Sequence, residues 1–253
     1  MNFRVIAKYM GNILMLEGAF MLPAIFVALI YKEFSSIPAF VITILLCLVI
    51  GFILYKTKQT NRGIYAKEAY ISVALGWIIL SLFGSLPFVI SGYIPNLVDA
   101  FFETVSGFTT TGSSILENVE LLSNSMLYWR SFTHWLGGMG VLVFLMAIVP
   151  MSNTKGGGEG LALMRAESPG PSVGKMTPTL RETARILYLI YVVMTIIEII
   201  LLFVTGMPLF DSIVLSFGTA GTGGFGIKAD SIASYSHYLQ WVITIFMLLF
   251  SLN

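Results

Sequence analysis

Apolar residues in this chain fall into long unbroken runs, without the period of two that marks a half-buried strand. The runs cover roughly 12–31, 37–55, 69–91, 126–150, 184–206 and 236–253. A helix needs roughly 20 apolar residues to cross the hydrocarbon core of a bilayer, so each run has the length of a span. Two other apolar stretches are too short to cross. They lie within "NLVDAFFETVSGFTTTGSSILENVE" and "PLFDSIVLSFGTAGTGGFGIKADSI". Each opens near an aspartate (Asp99, Asp211), continues as a short helical segment and runs into a Thr/Gly tract.

These two stretches read as an internal repeat. Aligned on Thr111-Gly112 and Thr222-Gly223, the aspartates lie 13 and 12 residues upstream. Both stretches follow a span that ends near proline, and both precede another span. The pattern predicts helix, re-entrant segment, helix, twice over. Non-helical backbone at membrane depth is tolerated only where protein buries it or it lines a water-filled path. Asp99 and Asp211 are expected to cap the outer N-terminal ends of the short helices.

Composition narrows the class. Of 253 residues, 57% are hydrophobic and 11% charged, against about 25% charged in soluble domains. An integral membrane protein in contact with a lipid bilayer follows. A net charge of +1 gives no reason to expect a nucleic-acid partner. The single cysteine, Cys47, excludes an intramolecular disulfide. The start "MNFRVIAKYM" is basic, like a signal peptide, but the run from Ile13 to Ile30 is too long for a signal core and has no clear cleavage site. It reads as a first transmembrane helix. Alternating the spans gathers the basic residues of 1–11, 56–67 and 155–185 on one side, leaving Lys32 and Lys228 on the other, with Arg130 near the outer end of its helix. The positive-inside rule then places the N-terminus and the loop 151–183 in the cytoplasm.

The expected organisation is two N-terminal transmembrane helices (1–66), a first helix–pore loop–helix repeat (67–152), a cytoplasmic loop (153–182) and a second repeat (183–253). The last run ends without a polar cap, which reads as a fragment of a longer protein; a half-size protein completing itself as a homodimer is the alternative.

The tract "GTAGTGGFG" contains a literal G-x-G-x-x-G, Gly221 to Gly226. A dinucleotide loop leaves a strand, opens a helix and is followed about 20 residues later by an acid. Here the tract follows a helical stretch, and the corresponding position is Phe246. A cation filter fits the pattern better. Backbone carbonyls replace an ion's hydration shell when successive oxygens face one path, and glycine takes positive φ at little cost. Gly112 and Gly223 meet that need, and threonine hydroxyls add oxygens without fixed charge. The short helices would aim their partially negative C-terminal ends at the ion.

Other readings compete. A small-residue packing seam would also use glycine. The transported ion could be sodium or ammonium. An intramembrane hydrolase could use Ser106 and His134, although "TVSGF" is not G-x-S-x-G and no third orienting residue presents itself. Glu17 and Glu198 lie inside apolar spans, as a relay or as neutral, paired groups. Glu103 either steadies the filter or pairs with Arg130 or His134. The two histidines, His134 and His237, have no ligand partners at metal spacing. Gly137, Gly138 and Gly140 suit close helix packing.

"FFETVSGFTTTGSSIL", "HWLGGMGVLV", "MRAESPGP" and "SFGTAGTGGFGIKADSI" resemble, in this order, the TrkH/KtrB potassium-uptake proteins, closest to the TrkH branch. The resemblance implies an all-α membrane fold of the potassium-channel type, with four helix–pore loop–helix repeats around one path. Only two repeats are present here. It implies signature glycines at Gly112 and Gly223, with potassium-binding oxygens at Thr110 and Thr111 in the first repeat and at Gly221 and Thr222 in the second. It also implies potassium as transported substrate, no bound cofactor and no enzymatic activity. The expected setting is a bacterial inner membrane, with a homodimer docking TrkA-type nucleotide-binding regulators on its cytoplasmic face.

Overall fold

Long apolar runs become long helices. The computed structural model describes residues 3–57, 66–140 and 180–252, and among them all regular structure is helical. Helices α1 (Phe3–Phe20) and α2 (Leu22–Ile30) form one apolar stretch of 28 residues. Pro23, in the first turn of α2, interrupts it, because proline donates no N–H to the helical ladder. α3 (Ile37–Tyr55) also starts with a proline, Pro38. α4 (Ala66–Ser91) leads to the short α5 (Leu97–Phe108), a 3-10 turn (Val119–Leu121) and α6 (Asn124–Gly138). α7 (Leu180–Val204), the short α8 (Leu209–Ala220) and α9 (His237–Ser251) follow.

Among the described residues, four stretches are long and apolar enough to cross a membrane: Phe3–Ile30, Ile37–Tyr55, Tyr70–Ser91 and Ala184–Val204. The run at 126–150 begins as α6, and its remainder lies outside the described residues, as does most of the loop 153–182. The run at 236–253 forms a described helix of 15 residues, fewer than the roughly 20 of a full span.

The distribution of polarity is that of a membrane protein. Outward faces are apolar, with Ile53 on α3 62% exposed and Leu189 on α7 64% exposed. The interior instead holds Thr43, Ser85, Glu103, Arg130, His134 and Glu198. Water would penalise such exposed apolar faces; lipid would not. The first crossing is a glycine seam. A Cβ on Gly11 of α1 would lie 2.7 Å from the Tyr55 backbone nitrogen and 2.5 Å from the Gly51 carbonyl of α3. Small residues let helices approach this closely.

α6 packs against both short helices, α5 of the first repeat and α8 of the second. These helices are each 12 residues long and start 112 positions apart, at Leu97 and Leu209. Asp99 and Asp211 therefore occupy the same helical position, but neither is a cap. The N-cap of α5 is Asn96, whose Oδ1 accepts from the Val98 N–H at 2.9 Å. The N-cap of α8 is Pro208, which offers no side-chain bond. Both aspartates lie instead in the first helical turn, where the helix dipole favours negative charge.

Candidate functional site

Each short helix ends in the same backbone figure. After α5, the N–H groups of Thr109 and Thr110 donate to the carbonyls of Val105 and Gly107, and those of Thr111 and Gly112 both reach the Ser106 carbonyl, at 3.0 and 3.5 Å. After α8, the N–H groups of Gly221, Thr222 and Gly224 donate to Phe217, Thr219 and Gly218. The acceptors correspond one to one at a spacing of 112, and so do the left-handed residues. Thr110 has φ 54° and Thr222 has φ 60°; Gly112 has φ 77° and Gly224 has φ 73°. Positive φ on a threonine is uncommon and costs about 1–3 kcal/mol, a strain retained where the surroundings over-determine it.

This correspondence corrects the register taken from the Thr-Gly dipeptides. Gly112 pairs with Gly224 and Thr110 with Thr222, so Thr111 pairs with Gly223. Gly223 has no left-handed φ. Its reason for being glycine is space: a Cβ there would collide with the His134 ring and lie 2.6 Å from the Thr110 carbonyl oxygen. Gly112 needs glycine twice over, for its φ and because a Cβ would collide with the Gly223 carbonyl. The two segments thus meet backbone to backbone. Gly221 is the C-terminal cap of α8, and a Cβ on it would press on the His134 ring and backbone.

The first segment is tied to its own helix. Ser106 Oγ donates to the Ser113 carbonyl, and the Thr109 and Thr111 hydroxyls pair at 2.8 Å. The carboxylate of Glu103 accepts from Ser114 Oγ at 2.9 Å and from the Ile115 N–H at 2.9 Å. The second segment is held from α6. His134 Nε2 accepts from the Gly223 N–H at 3.0 Å, so the neutral ring carries its proton on Nδ1. The same ring stacks on Phe225 at 4.7 Å. Arg130 Nη1 donates to the Gly226 carbonyl at 2.8 Å, and its guanidinium lies 3.7 Å over the Phe225 ring.

Arg130 and Glu103 form an ion pair at 2.6 Å with both side chains buried. Of the partners anticipated for Glu103, the structure thus shows Arg130. Ser106 and His134 do not form a nucleophile–base pair, since one hydroxyl serves the Ser113 carbonyl and the imidazole nitrogen accepts a backbone N–H. Glu17 is buried where α1 meets α4; a Cβ on Gly84 would lie 2.9 Å from both Glu17 Oε1 and Thr104 of α5. Glu198 is buried on α7. Gly138 lets α6 approach α7 and the second segment: a Cβ there would lie 2.6 Å from Tyr191 Oη and 3.0 Å from Gly221 Cα. The Gly137 position is occupied in the same way by the Phe108 carbonyl.

Two short helices thus end in matched, strained, hydroxyl- and carbonyl-rich segments inside a helical bundle with apolar outer faces, the build of a membrane protein. The comparisons with known proteins agree. Residues 36–253 match the TrkH family, described as cation transport proteins, and the chain belongs to that family. It is 39% identical to the Trk system potassium uptake protein TrkH of Salmonella typhimurium over 259 aligned residues, covering 100% of this chain and 52% of that protein. It is 34% identical to the Trk system potassium uptake protein TrkG of Escherichia coli, covering 100% and 52%. The crystal structure of the potassium transporter TrkH from Vibrio parahaemolyticus superposes with a TM-score of 0.80 at 32% identity, over 98% of this chain and 50% of that one. The chain therefore spans about half the length of the relatives it matches.

Proposed function

We propose that this chain supplies two of the filter strands of a potassium-uptake pore, each carried on a re-entrant helix between two transmembrane helices. The carrying observation is the convergence of two backbone segments with the same φ pattern and hydrogen bonds, 112 residues apart, with Gly112 seated against the Gly223 carbonyl. Carbonyl and hydroxyl oxygens at Thr110, Thr111 and Gly112, and at Thr222, Gly223 and Gly224, take the place of the ion's hydration shell. Gly221 precedes this second set and lets His134 close behind it. The C-terminal ends of α5 and α8 face the same place, and their partial negative charge favours a cation there.

The division into 1–66, 67–152, 153–182 and 183–253 follows from this reading. The N-terminus and the basic loop 151–183 face the cytoplasm of a bacterial inner membrane, where the loop meets TrkA-type regulators. The complete pore takes its remaining strands from further chain or from the partner in a homodimer. The relatives' names, which specify potassium uptake, support potassium over sodium or ammonium.

The test is rubidium uptake by the protein as its gene encodes it, in cells lacking other potassium-uptake systems, with membrane abundance measured alongside. Uptake that saturates with potassium as competitor is expected. Cells that take up no more rubidium than the empty strain, with the protein present in the membrane, would overturn the assignment.

A further inference from the structure

The Glu103–Arg130 pair touches both segments at equivalent points. On one side, Glu103 accepts from Ser114 Oγ and the Ile115 N–H. On the other, Arg130 donates to the Gly226 carbonyl and covers the Phe225 ring. Ser114 and Gly226 are 112 positions apart, the spacing of the repeat, so each partner of the pair holds the same step of one segment. The position of Glu103 in the second repeat is Leu215, and that of Arg130, counted from the helix starts at Asn124 and His237, is Ile243, both apolar. One ion pair, made wholly from the first repeat, therefore braces both segments.

We infer that Glu103 and Arg130 are positioning residues that set the spacing of the two filter segments, and so the size discrimination of the pore. The inference rests on the potassium-pore reading. The chemistry suits the task. A guanidinium presents several donors in a rigid plane, so Arg130 bonds the carboxylate through Nε and the Gly226 carbonyl through Nη1 at once. A lysine would keep the charge, but its three donors share one nitrogen and lack the planar fork that spans the carboxylate and the carbonyl. Replacing a buried ion pair by apolar residues is often neutral for stability, so stability alone does not account for this one.

The experiment measures sodium-to-potassium permeability in proteoliposomes bearing the protein as its gene encodes it, with the amount of inserted protein measured alongside. Arg130→Lys is expected to raise relative sodium permeability about tenfold, equivalent to about 1.4 kcal/mol of lost discrimination. Ser114→Ala, at an exposed side chain, removes the hydroxyl's bond to Glu103 and its local bond from the Leu116 N–H, and should move the ratio the same way by about threefold, the size of one modest hydrogen bond. Trp129→Phe, which cuts the Trp129 Nε1 bond to the Gly84 carbonyl away from both segments, should lower the inserted amount and leave the ratio alone. A parent that conducts potassium while Ser114→Ala keeps its ratio overturns the brace, whatever becomes of Arg130→Lys. A parent that conducts no potassium overturns the pore reading instead.

Discussion

Segment 109–115 is held mostly by residues of its own stretch, whereas segment 221–226 is held by a helix from the other repeat. In the first, Ser106, Thr109, Thr111 and Glu103 provide the bonds, all within 13 residues of what they support. In the second, His134 and Arg130 reach across 89 and 96 residues. The backbone is nonetheless the same, down to the carbonyls that accept each turn. The dihedral pattern is thus what both copies have in common, and the means of holding it is free to differ. The difference also explains composition. The first segment is rich in threonine and serine because it bonds to itself. In the second, Gly221 and Gly223 are glycine because the His134 imidazole occupies the space their side chains would need, and Gly224 because its backbone is left-handed.

The largest effect should come from the shared element. Gly112→Ser places a β-carbon against the Gly223 carbonyl and on a left-handed backbone; Gly223→Ser places one in the His134 ring. Strain of this kind costs about 1–3 kcal/mol before any overlap is relieved. Both variants should lose most rubidium uptake while inserting into the membrane at parental levels. Gly138→Ser, which meets Tyr191 and Gly221, should instead lower the amount of folded protein. Parental uptake by both Gly112→Ser and Gly223→Ser would mean that the segments are a packing seam.

His134→Leu comes next and strikes only the second segment. It leaves the Gly223 N–H without its acceptor, a loss of about 1–3 kcal/mol for a buried donor. Potassium affinity should fall, and sodium should compete better. The mirror experiment, Ser106→Ala, removes a bond to a carbonyl in the first segment and should cost about 1 kcal/mol or less. If the two variants affect uptake equally, the asymmetry of support has no functional weight.

Much of this molecule was legible in sequence, and the failures have physical causes. The long apolar runs fixed the helices at 37–55 and 184–204, because length and hydropathy suffice there. Gly112 was legible too, since positive φ selects glycine. The register of the second segment was not. Matching Thr-Gly to Thr-Gly let one residue slip, where the one-residue inequality in distance from Asp99 and Asp211 was the available warning. The aspartates were mistaken for caps because Asn96 and Pro208, three residues earlier, do not resemble each other. His134 was weighed as a base or a metal ligand, and its actual partner is an N–H, which no side-chain motif records.

The smallest effect tests the outer ends of the two short helices. Asn96 caps α5 through Val98, whereas Pro208 gives α8 only its fixed φ. Removing an N-cap side chain costs about 0.5–2 kcal/mol of helix stability. Asn96→Ala should therefore lower the thermal unfolding midpoint of the detergent-solubilised protein by a few degrees. Pro208→Ala removes no hydrogen bond and should shift it less. Neither residue touches the segments, so the sodium-to-potassium ratio should stay parental in both. An equal fall in the midpoint would show that proline contributes as much by restricting the unfolded chain as asparagine does by bonding. A changed ratio in Asn96→Ala would show that the seating of α5 reaches the segment at its other end, 12 residues away, and that self-support is the weaker of the two arrangements.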